Sequence, residues 1–234
     1  MGVAVDLRSA VCLLGRFPAL AGVDLMVSAG EIVLVKGANG AGKTTLLRAL
    51  AGLVPVVKGE AVVLGHDLRR QRRRSTTQVG LLGHGPGLYD DLSVAENLRF
   101  WARAAGVDAA AVTPAMARVA LDHRLGDQPA GRLSTGQRRR AALAALVVRR
   151  PRLWLLDEPH AGLDAAGRDL VDELVREAVA GGATAVLASH EVERATSLAD
   201  RSVVLAGGRI VAEGPGVTDP RQAVTVAGEP AHVA

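Results

Sequence analysis

Short apolar runs and helix-period segments alternate along this chain, and their order predicts its layout. Ile32 to Lys36 is an apolar run ending in a Gly-rich turn, and Thr45 to Ala51 follows as a helix. Val62 to Leu64 and Val79 to Leu82 are further short strands. From Asp90 to Arg150 the pattern is helical throughout. Ser93 followed by Glu96 is a capping-box start, with Gly106 as the stop. Thr113-Pro114 predicts an N-cap with proline at the first helical position, and Ser134 to Arg149 a third helix stopped by Pro151. Alternation then returns, with Arg152 to Leu156 a strand and Ala165 to Ala180 a helix closed by Gly181-Gly182. Ala183 to Ser189 is the next strand and Glu191 to Ala199 the next helix. Val203 to Ala206 and Arg209 to Ala212 flank Gly207-Gly208 as a hairpin. Beyond Gly214 the periodicity disappears, which predicts a loosely ordered tail over residues 215–234. The pattern is that of an α/β fold, one domain over residues 1–214, with a helical lobe inserted at about residues 90–150.

Composition narrows this picture. At 234 residues and 49% apolar the chain can build one substantial core, but aromatics are only 2%, so Ala, Val and Leu must fill it. Cys12 is the only cysteine, which excludes an internal disulfide and a Cys-rich metal site and suits a reducing compartment. It reads as a small apolar residue near a strand. Met1 to Ser9 carries Asp6 and Arg8 and no long apolar run, so no leader is expected. The longest apolar stretch, Ala141 to Val148, is closed by Arg140 and Arg149, far short of the roughly 20 residues of a membrane span. Any membrane part must come from another chain. The net charge of +4 is carried mostly by Arg, the lysines being Lys36, Lys43 and Lys58. The run Arg69-Arg70-Gln71-Arg72-Arg73-Arg74 suits either acidic lipid head groups or a solvated edge. It lacks the aromatic or base-reading groups of a nucleic-acid site, and no nucleic-acid partner is expected.

Gly37-Ala38-Asn39-Gly40-Ala41-Gly42-Lys43-Thr44 matches the Walker A pattern in full, between a predicted strand and a predicted helix. Glycines let the main chain wrap an anion so that its N–H groups face phosphate, and the following helix presents its positive end. Lys43 can reach the β- and γ-phosphates of ATP, Thr44 can ligate Mg²⁺, and Thr45, at the start of the helix, is counted among the nucleotide-binding residues. Leu153-Trp154-Leu155-Leu156-Asp157-Glu158 is an apolar strand ending in two acids. Its carboxyl end opens where ligands bind in α/β sheets. Asp157 is placed to hold Mg²⁺ and Glu158 to polarise the attacking water. An acidic pair after a strand is weak by itself, being often a helix-capping turn; it gains meaning from the Walker A loop in the same chain.

Leu133-Ser134-Thr135-Gly136-Gln137, opening a predicted helix shortly before that strand, resembles the ABC signature Leu-Ser-Gly-Gly-Gln, with Thr135 in place of the first glycine. Ala161-Gly162-Leu163-Asp164 resembles the D-loop, and His190, after an apolar strand, the switch histidine that contacts the γ-phosphate. In order and spacing, Val3 to Gly214 resembles the ABC ATPases. The resemblance implies a P-loop NTPase with a RecA-like core, an inserted helical lobe and an N-terminal β subdomain. It implies ATP hydrolysis with Mg²⁺ in a head-to-tail homodimer. Walker A, Walker B and His190 of one subunit would face Ser134, Thr135, Gly136 and Gln137 of the other. It further implies integral membrane permease partners, and a peripheral position on the cytoplasmic face of the membrane.

Two positions depart from the family pattern. His84 stands where most ABC ATPases carry glutamine; it can still reach Mg²⁺ or the water, and its titration would make activity pH-sensitive. Leu14 stands where an aromatic usually stacks on adenine, with Phe17 nearby. Gly83-His84-Gly85-Pro86-Gly87 and Leu92 to Phe100 resemble the compact haem-exporter, cytochrome c biogenesis ATPases. Short drug- or lipid-export ATPases are similar throughout, and a regulatory or soluble ABC ATPase is a further alternative.

Overall fold

The computed structural model describes residues 2–83, 85 and 87–215. The chain opens with a long hairpin, β1 (Val3–Leu14) and β2 (Phe17–Ser28). The hydrophobic pattern predicts no strand here, because register shifts between Leu7 and Ala10 and between Cys12 and Leu13 break strict alternation. Next come β3 (Ile32–Lys36), α1 (Lys43–Leu50), β4 (Val56–Val63), β5 (His66–Asp67), α2 (Arg72–Thr76) and β6 (Val79–Leu82). The arginine run thus passes into a short exposed helix, and β4 begins six residues earlier than its apolar end suggests.

Four helices follow: α3 (Val94–Ala104), α4 (Val112–Arg118), α5 (His123–Gly126) and α6 (Thr135–Arg149). Ser93 and Glu96 close a full capping box on α3, as do Ser134 and Gln137 on α6. The expected N-cap at Thr113 is corrected. Asp108 instead caps a 3₁₀ turn, Ala109–Ala111, that runs straight into α4, leaving Pro114 in the first turn where its missing N–H is harmless. The chain ends with β7 (Leu153–Asp157), α7 (Ala165–Ala180), β8 (Thr184–Ala188), α8 (Val192–Leu198), β9 (Arg201–Ala206) and β10 (Arg209–Pro215). Strand β10 includes Pro215; the rest of the expected tail lies outside the described residues.

The strands form two sheets. One is antiparallel, in the order β2-β1-β4-β5; the other runs β10-β9-β3-β8-β7-β6, parallel except at its β10 edge. Side chains alternate across the larger sheet. Val33, Val35, Leu153 and Leu155 pack against α1 and the small sheet, burying Cys12 with them. Leu34, Trp154, Leu156 and Leu187 pack against the helical lobe and α7. Burial on both faces explains why β3, β7 and β8 read as unbroken apolar runs. Because β3, β8 and β7 are neighbours and parallel, their carboxyl ends bring three separate sequence motifs to one edge.

Candidate active site

At that edge the loop between β3 and α1 curls over a cavity of about 320 Å³ lined by Leu14, Gly40, Lys43, Thr44, Asp157, Glu158 and His190, among others. Asn39, Gly42 and Thr45 also line it, while Ala41 is buried behind the loop. The path demands glycine. Gly42 has φ 109°, and a Cβ there would lie 2.6 Å from the Ala19 carbonyl oxygen; at Gly37 it would lie 2.3 Å from that of Leu205. Lys43 folds back, its ammonium donating to the carbonyls of Gly37 (2.8 Å) and Ala38 (3.1 Å). The Thr44 hydroxyl donates to Asp157 Oδ2 at 2.7 Å. A hydroxyl and a carboxylate converging beside a phosphate-binding loop are hard oxygen donors of the kind Mg²⁺ takes, so these residues fit that ion.

Glu158 sits just past β7 in the left-handed region, with φ 49°. A non-glycine residue held so is strained by about 1–3 kcal/mol and persists only where its surroundings enforce it. Its carboxylate accepts from the His190 main-chain N–H (3.0 Å), and His190 Nε2 lies 3.3 Å from its other oxygen. The His190 ring is half exposed, so this pair faces the open cavity. Leu14 lines the cavity, whereas Phe17, its partner across the hairpin, is 80% exposed and lies outside the lining. The apolar side chain that this hairpin end offers the cavity is therefore aliphatic. His84 lies outside the described residues.

Ser134, Thr135, Gly136 and Gln137 do not join this cavity. They form the amino end of α6, with Ser134 and Thr135 exposed. Thr135 instead lines a second cavity of about 440 Å³ with Arg138, Arg139, Ala161 and Gly162, which shares Asp157 and Glu158 with the first. Within one chain, the signature residues pack on the D-loop rather than on the phosphate loop.

Two features escape a motif reading. Arg139 is buried and donates to main-chain carbonyls at the end of β7. Burial pulls its guanidinium below the ordinary value, while Asp157 and Glu158 pull it back, and an arginine stays charged regardless. The available signal was helical spacing: Arg139 shares the buried stripe of Ala142, Leu143 and Leu146. The other is a buried chain in which His160 Nε2 meets Asp172 Oδ1 at 2.8 Å and Arg194 meets Asp172 Oδ2 at 2.7 Å. It ties the turn after Glu158 to α7 and α8, and no local pattern announces it.

The ABC transporter family model matches residues 20–161, from within β2 to the turn after Glu158. The chain belongs to the ABC transporter family. It is an ATP-binding cassette and an ATP hydrolase of that family. Among its relatives is the cytochrome c biogenesis ATP-binding export protein CcmA 2 of Cupriavidus metallidurans, 45% identical, covering 73% of this chain and 81% of that one. The CcmA protein of Bordetella bronchiseptica is 44% identical, covering 80% of this chain and 84% of that one. A solved structure of the ATP binding subunit of an ABC transporter matches the cassette with a TM-score of 0.84 at 27% identity, over 91% of this chain and 90% of that one. Among the described residues no helix of the cassette is long and apolar enough to cross a membrane.

Proposed function

We propose that this cassette is the ATPase subunit of a cytochrome c biogenesis, haem-export type transporter, working as a head-to-tail homodimer on the cytoplasmic face of the membrane with integral permease partners. The observation that carries the dimer is the separation within one chain: the exposed amino end of α6, a helix start of the kind that faces anions, does not line its own phosphate cavity. A second copy, reversed, supplies Ser134 to Gln137 to that cavity. The cytochrome c biogenesis assignment is supported by relatives that carry those words in their names at 44–45% identity, and the haem-export type by the resemblance of Gly83 to Gly87 and Leu92 to Phe100.

The residues then take definite parts. ATP entering the cavity exchanges the Lys43 bonds to Gly37 and Ala38 for bonds to phosphate oxygens. The N–H groups of the loop and the start of α1 face the same charge. Thr44 and Asp157 would hold Mg²⁺, which supplies positive charge against the β- and γ-phosphates. Glu158 accepts a proton from water as the water oxygen attacks the γ-phosphorus and the bond to the β–γ bridging oxygen breaks, leaving ADP and phosphate. His190 holds that carboxylate by its main-chain N–H and presents its ring to the γ-phosphate. Hydrolysis reopens the dimer, and the helical lobes pass the motion to the permease.

The test is capture of partners by tagged Glu158→Gln from gently solubilised membranes with ATP and Mg²⁺. The expected result is a closed dimer bound to a multi-span membrane protein of the cytochrome c biogenesis system. Recovery of drug- or lipid-export permeases would reassign the cargo. Recovery of soluble partners alone, with no closed dimer, would overturn the transporter reading.

A further inference from the structure

One side chain of the helical lobe reaches the catalytic edge of the sheet. Arg139, on the first two turns of α6, donates through Nη1 to the Gly83 carbonyl (2.7 Å). Through Nη2 it donates to the carbonyls of Asp157 (2.7 Å) and Glu158 (2.5 Å), and Nε lies 3.4 Å from that of Pro159. A buried cation held by carbonyl dipoles is an expensive way to fill space, since an apolar residue of similar volume packs at lower cost. What this one grips is specific: three consecutive carbonyls, of which the middle belongs to the residue in the left-handed region. The Glu158 side chain is held from the other side by His190.

We infer that Arg139 is a positioning residue that sets the main chain of Glu158, and so aims its carboxylate into the nucleotide cavity. It rides on the helix whose amino end carries Ser134 to Gln137, so engagement of that end by the opposite subunit's nucleotide shifts the clamp on this subunit's own Glu158. The two ATP sites of a dimer are thereby coupled through the first turns of α6. The inference rests on the proposed role of Glu158 as the base.

The test is ATP hydrolysis by the full chain carrying Arg139→Gln, Arg139→Lys, Glu158→Gln, and Arg139→Gln with Glu158→Gln. Arg139→Gln should lower kcat by about tenfold or more with KM within about threefold, since only alignment of the base is lost. Arg139→Lys keeps the charge without the planar fork and should recover part of kcat. In single-turnover measurements on the Glu158→Gln background, Arg139→Gln should cost less than about twofold, because the group it aims is gone. A purely structural role would lower both backgrounds by the same factor, and that result overturns the inference, as does wild-type kcat in both Arg139 variants. If Arg139→Gln fails to fold, Arg139→Lys carries the same comparison. If Glu158→Gln alone leaves turnover unchanged, the base assignment fails instead.

Discussion

Replacing Gly42 by alanine tests whether the phosphate loop is shaped by sterics that glycine alone satisfies. The new Cβ would stand 2.6 Å from the Ala19 carbonyl oxygen, about 0.8 Å inside the 3.4 Å at which ordinary contact begins, and 3.2 Å from Leu20 Cδ2. Ala19 belongs to β2, whose main chain is fixed by its pairing with β1, so the strand cannot yield cheaply. The overlap costs about 1–3 kcal/mol as overpacking. A φ of 109° adds about 1–2 kcal/mol for any residue with a Cβ. If the loop keeps its path, a total of about 2–5 kcal/mol appears as lost folding stability. If the loop moves, the same strain appears as weaker nucleotide binding, between about 30-fold and a few thousandfold. Urea denaturation and titration with a fluorescent ATP analogue measure the two shares. Gly40→Ala is the control: its φ is 78° but nothing lies within 4 Å of the added Cβ, so it should lose only about 1–2 kcal/mol. Equal losses in the two variants, or wild-type stability and affinity in Gly42→Ala, would refute the steric argument.

Other substitutions and reagents probe separate parts of the molecule. Burial raises the Asp172 carboxyl, but hydrogen bonds and charge from His160 and Arg194 outweigh it, and its folded value falls below 3.8. The contribution is therefore full at neutral pH and is lost only as pH drops below about 4. Asp172→Asn should cost about 1–3 kcal/mol in urea at pH 7, with the gap to wild type constant down to about pH 5 and narrowing below about pH 4. Burial lifts the Cys12 thiol to about 11 from an ordinary 9.0. A thiol reagent at about pH 8 should therefore leave the folded chain unmodified for hours and label it at once in denaturant. Ser93→Ala removes a complete capping box from α3 and should cost about 1 kcal/mol of stability, read in the same urea titration, while kcat stays at wild type.

Local chemistry made much of this protein legible without a structure. The β3 strand, the glycine-rich loop and α1 were readable because each follows from short-range causes: apolar side chains buried on both faces, glycine where φ is positive, and a helix where periodicity sets in. The capping boxes of α3 and α6 were readable for the same reason, since donor and acceptor lie three residues apart. Long-range geometry decided the rest. Bulged strands β1 and β2 pair through contacts that no alternating pattern announces, so of the small sheet only the end of β4 was readable from its apolar run, and the rest came by resemblance to a family. The order of the larger sheet sets Lys43, Asp157 and His190 around one cavity, because parallel neighbours end at the same edge. Tertiary packing alone turned Arg139, one of three consecutive arginines, inward onto carbonyls that lie up to 56 residues away, while Arg138 and Arg140 reached outward to Asp90 and Asp164. It also put His160 on Asp172. Sequence names the groups that can do phosphate chemistry. Which of them meet, and which stay apart within one chain, depends on how sheet order and helix packing bring distant segments together.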